Sequence, residues 1–194
     1  MTRFLFLPLL AAILFAGSSA QAQTTQGTRV LGLSGGNFTY QKSGSIKRFS
    51  GTLIPTAGVF LADNLALGAA VPIGYQRLSS SSYGEVSGRA LNVGVLPWLR
   101  YYLPSESKHR LFGEISAGGV LTSSRTKSDF SGTNNSETDV SFQAGLGLGY
   151  SYFITPDVGL DGLLNYNANT GTSQGFGHGK LALNLGFRIY LPRK

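Results

Sequence analysis

Residues 178–191 read H-G-K-L-A-L-N-L-G-F-R-I-Y-L. Leu181, Leu183, Leu185, Phe187, Ile189 and Leu191 fall on one parity, and Ala182, Asn184, Gly186, Arg188 and Tyr190 on the other. Side chains alternate across a strand, so one face of this segment is wholly apolar and the other small or polar. A soluble sandwich would turn the apolar face inward. A membrane barrel turns it to lipid and keeps the polar face in its lumen.

The same alternation recurs along the chain, over 28–40, 49–62, 65–76, 91–103, 111–121, 140–152 and 158–167. With the closing segment this makes eight strands and no intervening helix. Gly32, Gly35 and Gly36 blur the register of the first. The connections alternate in length. Residues 41–48, 79–85, 123–139 and 169–177 read as long polar loops, and 63–64, 104–109 and 155–157 as short turns. In an up-and-down barrel alternate connections share a rim, so all the long ones fall together. Outer-membrane barrels have this asymmetry, with short periplasmic turns and longer extracellular loops. Tyr40, Tyr75, Tyr101, Tyr102, Tyr150, Tyr152, Phe153, Tyr166 and Tyr190 lie toward strand ends, where interfacial aromatic girdles sit.

Composition agrees. Charged residues are 13% of the chain, against roughly 25% in soluble domains. The 27 glycines would be costly in helices but suit tightly packed strands. Cysteine is absent, which excludes disulfides, thiolate metal sites and thiol nucleophiles. Arg3, the apolar run 4–15 and Ala20-Gln21-Ala22 follow the order of a secretory leader, so residues 1–22 are expected to be a signal peptide and 23–194 the barrel. That run is too short for a transmembrane helix, which needs about 20 residues.

Arg100, Glu114, Asp161 and Arg188 share the small, polar parity. Buried charges need partners, so Arg100 is expected to pair with Glu114 and Asp161 with Arg188 as lumenal charge pairs. Trp98 and Phe112 lie on the same parity. An eight-stranded barrel has an interior that side chains just fill, so a plugged lumen is expected. Lys42, Lys47, Arg48, Arg125 and Lys127 read as loop charges and are candidate contacts for lipopolysaccharide phosphates, with Arg77 and Arg89 flanking another loop. The net charge of +7 has no basic cluster of the kind that nucleic acid requires. His109 and His178 have no metal-ligand spacing around them, so no cofactor or metal is expected. His178 near Ser173 could act as base and nucleophile at a rim, but serines fill these loops. Gly145 to Gly149 alternates glycine with leucine but lacks a nucleotide-binding spacing.

Gly58-Val59-Phe60, Asp63-Asn64-Leu65-Ala66-Leu67-Gly68, Pro97-Trp98-Leu99-Arg100-Tyr101-Tyr102 and the run from Gly149 to Val158 carry a family likeness. On these the chain resembles the outer-membrane protein β-barrel domain family, small eight-stranded barrels of the OmpA/OmpX kind found in Gram-negative bacteria. The likeness covers essentially the whole mature chain. It implies an eight-stranded antiparallel up-and-down transmembrane barrel in the outer membrane. It also implies surrounding lipid and lipopolysaccharide, and the barrel-assembly machinery as a partner in biogenesis. One departure is the end of the chain, where Pro192-Arg193-Lys194 follow Tyr190-Leu191 instead of a terminal aromatic residue. The expected role is structural or surface-interacting, as a non-enzymatic monomer with its outer loops as the contact surface. The alternatives are transport of small or hydrophobic molecules and modification of lipid A. The His-x-Ser-type pattern of the lipid A enzymes is missing.

Overall fold

The computed structural model describes residues 24–80, 86–128, 133–171 and 174–193. The expected leader lies outside them. Antiparallel strands close into a ring, with β1 (Arg29–Ser43) paired on one side to β2 (Ile46–Ala62) and on the other to β9 (Gln174–Leu191). Between these run β3 (Leu65–Ala70), β4 (Ile73–Ser80), β5 (Val86–Tyr102), β6 (His109–Ser128), β7 (Thr133–Thr155) and β8 (Val158–Gly171). β3 and β4 both lie between β2 and β5, one above the other. They are the expected third strand, split at Val71-Pro72 because proline has no N–H for the ladder. Val71 N still donates to Pro55 O at 2.9 Å and Gly94 N to Pro72 O at 3.1 Å, so the wall stays sealed. The ring is thus an eight-staved, up-and-down barrel.

Parity sorts the wall. On β9, Leu181, Leu183, Leu185, Phe187, Ile189 and Leu191 face outward at 38–68% exposure, while Ala182, Asn184, Arg188 and Tyr190 are buried. The same outward apolar band continues through Leu31, Leu53, Leu67, Val93, Ile115, Leu148 and Leu160. Such an area of exposed apolar surface is stable only against lipid. No described helix is long and apolar enough to cross a membrane; the strands cross it instead.

Three sequence expectations are corrected. The described parts of the long connections are largely strand. Residues 41–48 form a hairpin whose only turn residues are Gly44 and Ser45, with Gly44 at φ 54° as a type II′ turn requires. β6 and β7 are 20 and 23 residues long, roughly twice what a tilted strand needs to cross the hydrocarbon. Ladder hydrogen bonds, not apolar periodicity, hold these extensions, so a Ser/Thr/Asn-rich stretch hides them. Second, the aromatic girdle is smaller. Tyr40, Tyr75, Tyr101, Tyr150 and Tyr166 are exposed on the outer face, but Tyr102, Phe153 and Tyr190 have inward parity and are buried at 0–1% exposure. Third, side chains do not fill the whole interior. The core of Val30, Phe60, Trp98, Tyr102, Phe112, Phe153 and Tyr190 occupies the half nearer the termini. The other half holds an open cavity of about 990 Å³. It is lined by small polar side chains such as Ser50, Thr52, Asn92 and Ser124.

The end carrying the termini is covered by the chain before β1. Asn64 N donates to Thr24 O at 2.8 Å, Gly27 N to Phe60 O at 2.9 Å and Phe60 N to Thr28 O at 2.9 Å. Arg110 Nη1 holds Thr24 Oγ1 at 2.7 Å and Asn64 Oδ1 at 2.8 Å. Asn64 occupies a left-handed turn conformation, φ 64°, beside a bulge between Phe60 and Ala62.

Candidate functional site

The floor of the cavity is the charge cluster. β5 brings Arg100, β6 Glu114, β8 Asp161 and β9 Arg188, all turned inward by parity. Arg100 Nε and Nη2 reach Glu114 Oε2 at 2.7 and 2.6 Å. Arg100 Nη1 also reaches Asp161 Oδ2 at 2.5 Å, and Arg188 Nε donates to the same oxygen at 2.7 Å. Arg188 Nη2 lies 3.8 Å from Glu114 Oε2. The structure therefore brings together all four expected residues, including both expected pairs, in a single ring of contacts. Arg100 bridges the two carboxylates because side chains from strands on opposite sides of a narrow barrel converge on its axis.

Two arginines and two carboxylates balance, so the lumen carries no net charge at this level. Ser151 Oγ donates to the second Asp161 oxygen at 2.6 Å, leaving neither oxygen of that buried carboxylate bare. Below the guanidinium of Arg100 lies the Phe112 ring, 3.7 Å from its centroid, a cation–π contact in a desolvated setting. Arg100 Nη1 also donates to Tyr102 Oη at 3.1 Å, and Tyr102 and Tyr190 share a hydrogen bond of 2.9 Å across the lumen. Trp98 Nε1 and Arg188 Nη1 are buried without a hydrogen-bond partner among the described residues.

Glycines make room for this packing. A Cβ on Gly58 would stand 2.7 Å from the Trp98 ring. Gly58→Leu is expected to overpack the lumen and cost about 1–3 kcal/mol, read as a lower urea midpoint in lipid; an unchanged midpoint would refute the contact.

Above the floor, amides from neighbouring strands form a chain. Asn184 Nδ2 donates to Asn165 Oδ1 at 3.1 Å, and Asn165 Nδ2 and Gln143 Nε2 donate to Asn167 Oδ1 at 3.0 and 3.2 Å. Among the described residues no group of His, Cys, Asp or Glu could hold a metal ion. His109 lies at the termini end, hydrogen-bonded through Nδ1 to Tyr150 Oη and with its ring 5.1 Å from that of Tyr152. Ser173 and the side chain of His178 lie outside the described residues.

The five basic residues expected on loops are on strands. Lys42, Lys47, Arg125 and Lys127 have outward parity, whereas Arg48 takes the lumenal parity of Ser50 and Thr52. Sequence reasoning passed over Tyr102, Tyr190, Ser151, Arg110 and Thr24 as partners. Parity alone would have turned Tyr102, Tyr190 and Ser151 inward; Thr24 precedes the first strand and carries no such signal.

The model of the outer membrane protein beta-barrel domain family matches residues 8–188. No curated protein matches the chain. Among solved structures, the chain is similar to Ail, the attachment invasion locus protein of Yersinia pestis. Identity there is 12% and the TM-score 0.55, over 86% of this chain and 100% of that one. It is similar to a major outer membrane protein of Thermus thermophilus, at 16% identity and TM-score 0.54, over 84% and 99%. It is also similar to OprG of Pseudomonas aeruginosa, at 14% identity and TM-score 0.52, over 89% and 99%. At these identities the likeness is one of fold.

Proposed function

Since the chain belongs to the outer membrane protein beta-barrel domain family, we propose that it is a non-enzymatic structural and surface-interacting barrel whose lumen is closed to solutes. It is exported by its leader, inserted by the barrel-assembly machinery and monomeric. The strand extensions beyond the apolar band present its contact surface. The termini lie on the periplasmic side, as in barrels with short periplasmic turns.

The observation that carries this reading is the packing across the termini half of the lumen. Arg100, Tyr102, Phe60, Phe112, Phe153 and Tyr190 are each at most 2% exposed. The segment from Thr24 to Thr28 lies beneath them. A solute entering the cavity from the opposite rim meets the neutral charge cluster and then this aromatic layer. Purified protein in planar bilayers is expected to give little steady conductance. Tyr102→Ala combined with Tyr190→Ala removes the shared hydrogen bond and both rings, and is expected to produce discrete channels. Large, reproducible channels from the unaltered protein would overturn the closed-lumen reading.

The cavity of about 990 Å³ favours a second reading, uptake of small molecules. It requires the aromatic layer to move, so the same bilayer experiment decides between the two.

A further inference from the structure

The outer face of the barrel holds a row of arginines in register. Arg77 of β4 lies directly across from Arg89 of β5, and Arg89 directly across from Arg125 of β6. Directly opposed positions hold their Cβ atoms about 4.5–5.5 Å apart, and like charges there repel. One level further from the termini, Lys47 of β2 and Lys127 of β6 join through Ser79 and Ser87, and Lys42 of β1 lies opposite Lys47. All six cations are exposed. None makes an ion pair among the described residues.

Among the described residues of these strands, the acidic ones turn away from this face. Glu137 and Asp139 lie opposite Ser124 and Thr122, whose parity is lumenal. The described charges of these strands are thus sorted by side of the wall, and the repulsion along the arginine row is left uncompensated by the described residues.

The depth of the row identifies what compensates it. Phe49 shares the level of Arg77. The next outward level toward the termini holds Tyr75 and Leu91, and the one below holds Leu53, Ile73, Val93 and Leu121. The cations therefore begin where the lipid-facing apolar band ends, at headgroup height. Guanidinium groups bind phosphate oxygens through paired N–H donors.

We propose that Arg77, Arg89 and Arg125, with Lys42, Lys47 and Lys127 above them, form a wall-mounted site for the phosphates of an anionic outer-leaflet lipid of the lipid A class. This rests on the outer-membrane reading. It moves the contact from loops to the barrel wall and excludes Arg48, which faces the lumen.

The test compares the refolded full barrel with R77Q/R89Q/R125Q in mixed micelles of lipid A and phosphatidylcholine, read by native mass spectrometry. The unaltered barrel is expected to retain lipid A roughly tenfold or more over the variant, with phosphatidylcholine retained equally by both. R77K/R89K/R125K should keep an intermediate share. Thermal midpoints give a second readout. Without anionic lipid the glutamine variant should match or exceed the unaltered barrel, because repulsion is relieved; lipid A should raise only the unaltered barrel. Equal lipid A retention, or equal thermal shifts, overturns the site while leaving a barrel that inserts. A chain that inserts into no bilayer overturns the outer-membrane reading as well.

Discussion

Asp161→Ala is expected to lower the unfolding free energy in lipid by about 3–5 kcal/mol, the cost of breaking a buried ion pair by removing one partner. Asp161 Oδ2 accepts from Arg100 at 2.5 Å and from Arg188 at 2.7 Å, and Oδ1 accepts from Ser151. Without it, two guanidinium groups share one carboxylate, Glu114, in a site where Arg100 is 1% exposed. The measurement is a urea titration in vesicles. The chain has one tryptophan, Trp98, whose ring lies 5.2 Å from the Arg188 guanidinium, so its fluorescence reports directly on the cluster. Asp161→Ala with Arg188→Met restores the charge balance and is expected to cost less than the single change. That reversal separates the electrostatic loss from lost packing. A single-variant cost below about 1 kcal/mol, the range of exposed pairs, would mean that the cluster is solvated and not the closed floor described above.

Leu185→Arg is the second large effect. Leu185 lies near the middle of the outward run of β9 and is 62% exposed. In a water-facing wall an exposed substitution would change stability by no more than about 0.5 kcal/mol. Facing lipid near the bilayer midplane, arginine is expected to cost about 2–4 kcal/mol. The contrast lies within one strand, because Arg188 is tolerated three residues further on, where parity turns it to Asp161. Folding in vesicles of increasing thickness, followed by the heat-dependent gel shift of the barrel, measures the cost. A near-neutral Leu185→Arg would remove the lipid assignment of this face.

Much of this was legible in the sequence for a simple reason. A strand has a period of two, so Leu181 to Leu191 and Arg188 could be assigned to opposite faces without any knowledge of their neighbours. The inward parity of Arg100, Glu114 and Asp161 follows by the same rule, as does the adjacency of consecutive strands. The aromatic girdle shows what happens when that rule is set aside. Tyr102, Phe153 and Tyr190 sit near strand ends, as girdle residues do, yet their parity points inward and they are buried.

Other features are set by strand partners and curvature. The closing pair aligns Arg29 with Leu191 and Gly36 with Asn184. The glycines that blurred its register also permit the close approach, since side chains are what normally mark a face. The bridge from Arg100 to Asp161 joins residues 61 positions apart on strands that are not neighbours. No local pattern encodes it; it exists because eight staves curve far enough to bring their inward side chains to one axis. The row of Arg77, Arg89 and Arg125 is likewise a fact of register. Along the chain these are three separate cations in polar stretches, and only hydrogen-bonded pairing of strands sets them side by side at one height. Alternation, being local, tells which way each residue faces. Register and ring closure, being products of the whole sheet, decide what it meets there.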